Sequence, residues 1–289
     1  IRPPPIPSRP ARAPARRPNG TASSTSANVI SAMTLPASCR SDQTSRGLLL
    51  PNLTLGGAEQ MALDALLLEQ SWSRELTQPV LRFYRWIRPS LSLGRHQRQI
   101  PGRWLSLAST GQLDLIRRPS GGGSVLHAGG LTYALIWPNP PRQRREAYRQ
   151  VNHWISRGFA RLGISLKAGD APAQADEIDC FARSTAADLV DTDKTKRIGS
   201  AQFWQHGHLL QHGEIPLAPP PELWQAVFGT TPAGWTKTPP DGSAVAEALL
   251  ASFSEGLSTS EWTHRALSDE ERRLMLQRAE GYRVDPSAL

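Results

Sequence analysis

From Leu48 onward the apolar positions fall into helical and alternating rhythms that lay out the chain. In Gly57 to Trp72, Met61, Ala65 and Leu68 share one helix face and Leu63, Leu66 and Leu67 widen it, which predicts a buried helix with little polar relief. A period of two over LRFYRWI (81–87) predicts a strand. Pro89 interrupts, and LSLG (91–94) and LDLIRR (113–118) read as two more. SVLHAGGLTYALIW (124–137) predicts a hairpin about Gly129-Gly130. After the proline cluster at 138–141, Val151, Trp154, Ile155, Phe159 and Leu162 make an amphipathic helix of Arg144 to Leu162. Short strands follow at Ile164 to Lys167, Asp188 to Val190, Ile198 to Trp204 and His208 to Leu217, the last two joined as a hairpin about Gly207. Beyond the prolines at 219–221 the pattern turns helical, over 222–228, 243–255 and 267–280. Ser268 and Glu271 there form a capping-box signature. Strands in antiparallel hairpins, with helices inserted and appended, predict an α+β fold: a mixed, largely antiparallel sheet flanked by helices.

Charge refines this picture at one end. The 289 residues carry a formal net charge of +8. Residues 1–46 hold seven arginines against one acid, Asp42, and so account for +6 of it. The basic character therefore belongs to that segment, and it is weak support for a nucleic-acid partner. With eight prolines and few large apolar residues, 1–46 reads as a disordered extension preceding a globular domain over 47–289. An Arg- and Ser-rich leader resembles an organelle transit peptide. The simpler expectation is that Met33 is the biological start and the protein is cytoplasmic. Cys39 and Cys180 suggest no disulfide framework, and no apolar run reaches the length of a membrane span. The basic stretch RQRREAYR (142–149) is either a solvated helix face or a docking surface for an acidic partner.

RRPSGGGSVLHAGGLTY (117–133) is the stretch with the most chemistry. Gly121, Gly122 and Gly123 let backbone N–H groups approach a ligand without a Cβ in the way. An arginine beside such a loop offers a forked contact to a carboxylate or phosphate. The segment lacks the Gly-Lys-Ser/Thr of a phosphate-binding P-loop and the spacing of a dinucleotide fingerprint. A plain glycine-rich turn is the alternative, and the two arginines before it and His127 after it shift the reading to an anion or acyl site. Three further features stand out: Cys180 in DEIDCF, Lys196 in KTKRIGSAQ and His212-Gly213 in LLQHGEI. Singly they read as an inert cysteine, a turn lysine and a bulge. Together they supply a nucleophile, a cation able to depress its pKa, and exposed backbone N–H groups for an oxyanion. The histidines and cysteines show no metal-ligand spacing.

These motifs resemble those of the lipoate–protein ligase and octanoyltransferase family, whose catalytic fold is shared with biotin protein ligase. RRPSGGGSVLHAGGLTY resembles its Arg-Arg-x-Ser/Thr-Gly-Gly signature, KRIGSAQ its Lys-x-x-Gly-Ser-Ala motif and LLQHGEI its Leu-x-His-Gly element. QMALDALLLE (60–69) and LRFYRWIRPSLSLGRHQ (81–97) are similar to its first helix and strands. Cys180-Phe181, sixteen residues before Lys196, resembles the cysteine of the firmicute-like octanoyltransferases. Only 76 residues follow Gly213, which also suits a transferase without an accessory domain. Gly123 resembles the ligase form of the loop instead, and Ala128 stands where the family commonly has aspartate.

The resemblance implies an acyltransferase that moves an octanoyl or lipoyl group from a carrier thioester to Cys180 and then to a lysine of an apo lipoyl domain or a glycine-cleavage carrier. The donor would be an acyl carrier protein or another octanoyl or lipoyl carrier, with no nucleic acid or membrane involved. It implies catalysis by Cys180 and Lys196. Arg118, Ser120, Gly121, Gly122, Gly123, His127, Gly199, Ser200, Ala201 and His212 would bind substrate, in a narrow apolar slot. No tightly bound cofactor is expected. ATP and Mg enter only if the chain is an ATP-dependent lipoate ligase, in which Cys180 is incidental. A non-catalytic acyl- or carrier-binding protein is the third reading.

Overall fold

The apolar rhythms become twelve strands and six helices in the computed structural model, which describes residues 45–170, 184–235, 240–257 and 259–288. In chain order these are β1 (Ser45–Leu49), β2 (Leu53–Leu55), α1 (Gly57–Trp72), β3 (Val80–Trp86), β4 (Ser90–Leu93), α2 (Gly102–Ser109), β5 (Asp114–Arg117), β6 (Val125–His127) and β7 (Gly130–Trp137). Then follow α3 (Arg144–Arg161), β8 (Lys167–Ala168), β9 (Leu189–Val190), β10 (Lys196–Gln205), β11 (His208–Pro216), α4 (Pro221–Phe228), α5 (Gly242–Gly256), β12 (Thr259–His264) and α6 (Asp269–Ala279). The main sheet runs β12-β1-β3-β7-β11-β10-β9-β8, with β2 paired to β3. A small sheet runs β5-β4-β6. Pairing from β3 through β8 is antiparallel and the β12-β1-β3 edge is parallel, so the expected mixed, largely antiparallel α+β architecture is what forms.

Helices cover both faces of the main sheet, which is why its central strand β7 is apolar at almost every position. Leu131, Tyr133 and Leu135 face a core with Trp154 and Phe159 of α3 and Leu249 and Phe253 of α5. Ala134 and Ile136 face the other core, with Met61, Leu63 and Leu67 of α1 and Met275 of α6. A third core sits on the small sheet, where Leu91, Leu93, Leu115 and Leu126 meet Trp104 of α2 and Trp224 and Val227 of α4. The capping box at Ser268 and Glu271 is present, and His206-Gly207 close the β10–β11 hairpin as a two-residue turn with both φ positive.

Two expectations are corrected. The segment 124–137 is not a hairpin. β6 pairs with β4 in the small sheet, whereas β7 joins β3 and β11 in the large one. At the corner Gly129 has φ +69, and its carbonyl accepts the N–H groups of Leu217 and Ala218. The chain leaves one sheet for the other at a point where a Cβ would stand 2.1 Å from the Ala218 carbonyl oxygen. The second correction concerns the edge of the sheet. β1 already begins at Ser45, pairing with β12 and β3, and Arg46 meets Glu261 at 3.1 Å. The remainder of the expected N-terminal extension, residues 1–44, lies outside the described residues. No helix among the described residues is long and apolar enough to cross a membrane.

Candidate active site

Where α1, β7, β10, β11 and the glycine loop meet, a narrow cavity of about 60 Å³ opens between Met61, Tyr84, Trp86 and Val125. Segments far apart in the chain converge on it. Of the residues expected to bind substrate, Arg118, Gly121, Gly122, His127, Gly199, Ser200, Ala201 and His212 line this slot. Ser120 and Gly123 do not line it but bond His212 and Arg118, which do, and Lys196 pairs with Asp188, which lies against the lining residue Ser200. Cys180 lies outside the described residues.

The glycine loop is held shut from below by Arg118. This arginine is 5 % exposed. Its Nη1 donates to the Ser92 carbonyl at 2.8 Å and to Ser92 Oγ at 3.2 Å. Its Nη2 donates to the carbonyls of Gly121 and Gly123, each at 2.6 Å. A run of glycines outside any ladder leaves its carbonyls unpaired, and a buried guanidinium needs acceptors, so each satisfies the other. The fork anticipated for a ligand anion is thus turned on the loop itself. Gly122 takes φ +94, a conformation that side-chain-bearing residues rarely adopt.

One polar chain passes through the slot wall at His127. The ring lies flat against Trp86, centroids 3.9 Å apart and planes 17° apart. Its Nδ1 is 2.8 Å from Glu214 Oε2, and its Nε2 is 2.8 Å from Ser92 Oγ. Trp86 Nε1 donates to Thr132 Oγ1 at 2.7 Å, and Thr132 in turn donates to Glu214 Oε2 at 2.5 Å. Burial pushes the His127 imidazole below its ordinary pKa, against the opposing pull of the Glu214 carboxylate. At neutral pH the ring is therefore uncharged: Nδ1–H donates to Glu214, and Nε2 accepts from Ser92. Arg118 and Glu214 then balance in charge, and each of these groups has a partner, so the network offers little unmet polarity to the slot.

The second chain lies behind the glycine loop. Ser120 Oγ is 2.6 Å from His212 Nε2, and His212 Nδ1 donates to Asp64 Oδ2 at 3.1 Å. Asp64, fully buried on α1, also accepts from Arg82 Nη1 at 2.9 Å and from Tyr84 Oη at 3.1 Å. Gln60 Oε1 accepts from Arg82 Nη2. His212 is not in a bulge. β11 pairs regularly through it, with Ala201 opposite on β10 and Ala134 on β7. Gly213 beside it is required by space, because a Cβ there would stand 2.5 Å from Tyr133 Cε1 and 2.8 Å from the Gly199 carbonyl oxygen.

Lys196 opens β10 and is buried, its Nζ 3.0 Å from Asp188 Oδ1. The same oxygen lies 3.4 Å from the Ser200 N–H, while Oδ2 accepts the N–H and hydroxyl of Thr185 at 2.8 and 3.0 Å. One carboxylate thereby ties the lysine to the slot wall. Burial pushes the Tyr133 phenol up to about 12, and its hydroxyl bonds Ser200 Oγ at 2.8 Å. It stays protonated throughout the physiological range.

Sequence reasoning missed Asp64, Gln60, Glu214, Trp86 and Thr132. Some signals were present. Gln60 and Asp64 are polar residues four apart on an otherwise apolar helix, and Glu214 follows His212 by two, on the same strand face. Trp86 and Thr132 carried no such mark. Among the described residues, no group of three or more His, Cys, Asp or Glu is placed to hold a metal ion.

Residues 57–250 match the family model described as the lipoyl protein ligase A/B catalytic domain. Octanoyltransferase LipM of Oceanobacillus iheyensis is 36% identical over 174 residues, covering 58% of this chain and 63% of that protein. The namesake from Lysinibacillus sphaericus is 37% identical over 182 residues, covering 58% and 64%. The chain thus spans a little under two thirds of the length of these relatives. In fold, it is similar to a lipoate-protein ligase A bound with ATP, with TM-score 0.66 at 20% identity, covering 81% of this chain and 94% of that one. It is also similar to the bipartite lipoate protein ligase of Thermoplasma acidophilum, with TM-score 0.63 at 20% identity, covering 81% and 92%.

Proposed function

Because this chain belongs to the lipoyl protein ligase A/B catalytic-domain family, we propose that it is an acyltransferase of protein lipoylation. It takes an octanoyl group from a carrier thioester onto Cys180 and passes it to a lysine of an apo lipoyl domain. The observation that carries this reading is the slot, an apolar channel whose neighbouring polar groups are bonded to one another. Such a channel suits an eight-carbon chain, at roughly 0.8 kcal/mol per buried CH₂. The relatives named octanoyltransferases support the choice of acyl group.

In the first step the Cys180 thiolate attacks the thioester carbonyl, and the carrier thiolate leaves and takes up a proton. In the second step the lysine amine of the acceptor attacks the Cys180 thioester. An amide forms, and the amine proton is lost as Cys180 is released. Lys196, held by Asp188, supplies positive charge that favours the thiolate. The oxyanion donor assigned is the Gly122 N–H, in the loop that lines the slot. A trans peptide sets it opposite the Gly121 carbonyl, which Arg118 holds. His127 and His212 fix the slot and the loop. A route through a thiolate suits a reducing compartment, and we place the reaction in the cytoplasm. The route uses no tightly bound cofactor.

The test is the intact mass of the protein after incubation with octanoyl-loaded acyl carrier protein in the absence of ATP. An octanoyl adduct is expected, and it should vanish in Cys180→Ala. No adduct, with acylation of a lipoyl domain only when ATP and free lipoate are added, would make the chain a ligase and sink this reading.

A further inference from the structure

A second cavity, of about 890 Å³, runs along α3 on the flank of the molecule. Its helical wall is a stripe at three- and four-residue spacing: Arg145, Tyr148 and Arg149, Asn152, Ser156. From Gln143 to Ser156 this wall is roughly 20 Å long at 1.5 Å per residue. The opposite wall includes Thr185, Ala186 and Ala187, none of them charged. Arg144, Arg145 and Arg149 form an exposed mouth at the start of the helix. The one acid there, Glu146, is taken up by Arg149 at 2.7 and 2.8 Å and by Gln150 at 2.8 Å, so the mouth keeps a net positive charge.

Inside the groove stands a polar atom with nothing to bond among the described residues. Asn152 is 5 % exposed, and its Nδ2 donates to the Ala186 carbonyl at 3.0 Å. Its Oδ1 is buried and accepts no hydrogen bond from them. Such an acceptor costs stability unless something supplies an N–H. The groove wall is also bonded to the carboxylate that pairs with Lys196. Thr185 in its wall donates to Asp188 Oδ2, and Asp188 Oδ1 holds Lys196.

We propose that this groove is the docking site of the acyl donor, an acidic carrier protein, and receives its phosphate-bearing, amide-containing arm. The phosphate lies at Arg144, Arg145 and Arg149, and an amide N–H of the arm bonds Asn152 Oδ1. The proposal rests on the acyl-transfer reading above and assigns its donor side. Charge selects the donor over the acceptor. The arginine mouth attracts an acidic protein and a phosphate, whereas the acceptor presents a lysine, which the same mouth repels.

The experiment measures octanoyl transfer by the full chain from two probes, octanoyl-loaded acyl carrier protein and octanoyl-N-acetylcysteamine, which has neither phosphate nor protein. In the double variant R144E/R145E, both positions being exposed, KM for the carrier should rise about tenfold or more with kcat little changed. Transfer from the small thioester should be unaltered. The wild-type KM for the carrier should rise with salt, and that dependence should flatten in the variant. Asn152→Leu should weaken binding of the holo carrier while leaving binding of the armless apo carrier untouched. An unchanged carrier KM in R144E/R145E would overturn the proposal. So would a rise in the KM of the lipoyl domain in place of the donor, or equal binding of holo and apo carrier by the wild type. Absence of transfer from either probe defeats the acyl-transfer reading itself, a result distinct from these.

Discussion

Replacing Asp64 with leucine tests the polar chain that backs the slot. Asp64 and Arg82 are 0 % and 1 % exposed at the side chain, and the carboxylate collects three donors: Arg82 Nη1 at 2.9 Å, Tyr84 Oη at 3.1 Å and His212 Nδ1 at 3.1 Å. Leucine fills a similar volume, so the dominant cost is the guanidinium left without its counter-charge. Breaking a buried pair from one side costs about 3–5 kcal/mol. For a unit of this size that is a fall in Tm of roughly 10 °C. Arg82→Met should cost a similar amount for the converse reason. The double variant D64L/R82M removes both charges and should cost only about 2 kcal/mol, the share of Tyr84 and His212 left without an acceptor. Thermal and guanidinium denaturation of the four proteins completes the cycle, with a coupling of several kcal/mol expected. A double variant that loses the sum of the two singles would refute the pairing as the source of stability. Asp64→Leu within about 1 kcal/mol of wild type would do the same.

Other outcomes follow from the same geometry. Gly213→Ala places a Cβ 2.5 Å from the Tyr133 ring and should cost about 1–3 kcal/mol along with transfer activity; an unchanged denaturation midpoint would contradict it. His127 has its folded pKa pushed down by burial, so below the ordinary value near 6.5 the unfolded chain binds more protons than the native one. Stability from this group is present above that pH and lost as pH falls toward the folded pKa, and Tm scans of His127→Gln should show a shallower acid slope than wild type. Ser268→Ala removes the acceptor for the Glu271 N–H and should cost about 1 kcal/mol by urea titration, with transfer unaffected. Asp188→Asn takes a counter-charge from the buried Lys196, so it should lower the denaturation midpoint, at a cost of up to about 3–5 kcal/mol, and also lower the rate of acyl-enzyme formation at neutral pH; an unaltered rate, followed by intact mass, would remove the Asp188–Lys196 pair from the mechanism.

What the chain order alone carried was local and periodic. The extents of α1, α3 and α6, the capping box and the β10–β11 turn follow from 3.6- and 2-residue rhythms and from turn and cap chemistry, which act within a few residues. The motif residues were legible for the same reason, since glycine runs and lone lysines stand out in a line of text. Partnership was not legible. An alternating run reads the same whether its two halves form a hairpin or join different sheets, so the division of 124–137 between two sheets depended on what packs against each half. Arg118 looked like a fork for a ligand until the fold placed two loop carbonyls within 2.6 Å of it. Asp64, Arg82, His212 and Ser120 are 18 to 148 positions apart and become one hydrogen-bonded chain only because α1 lies across β3 and β11. Local propensity has no term for such contacts. They are set by the burial of two sheet faces, which leaves each polar group inside with few partners to choose from.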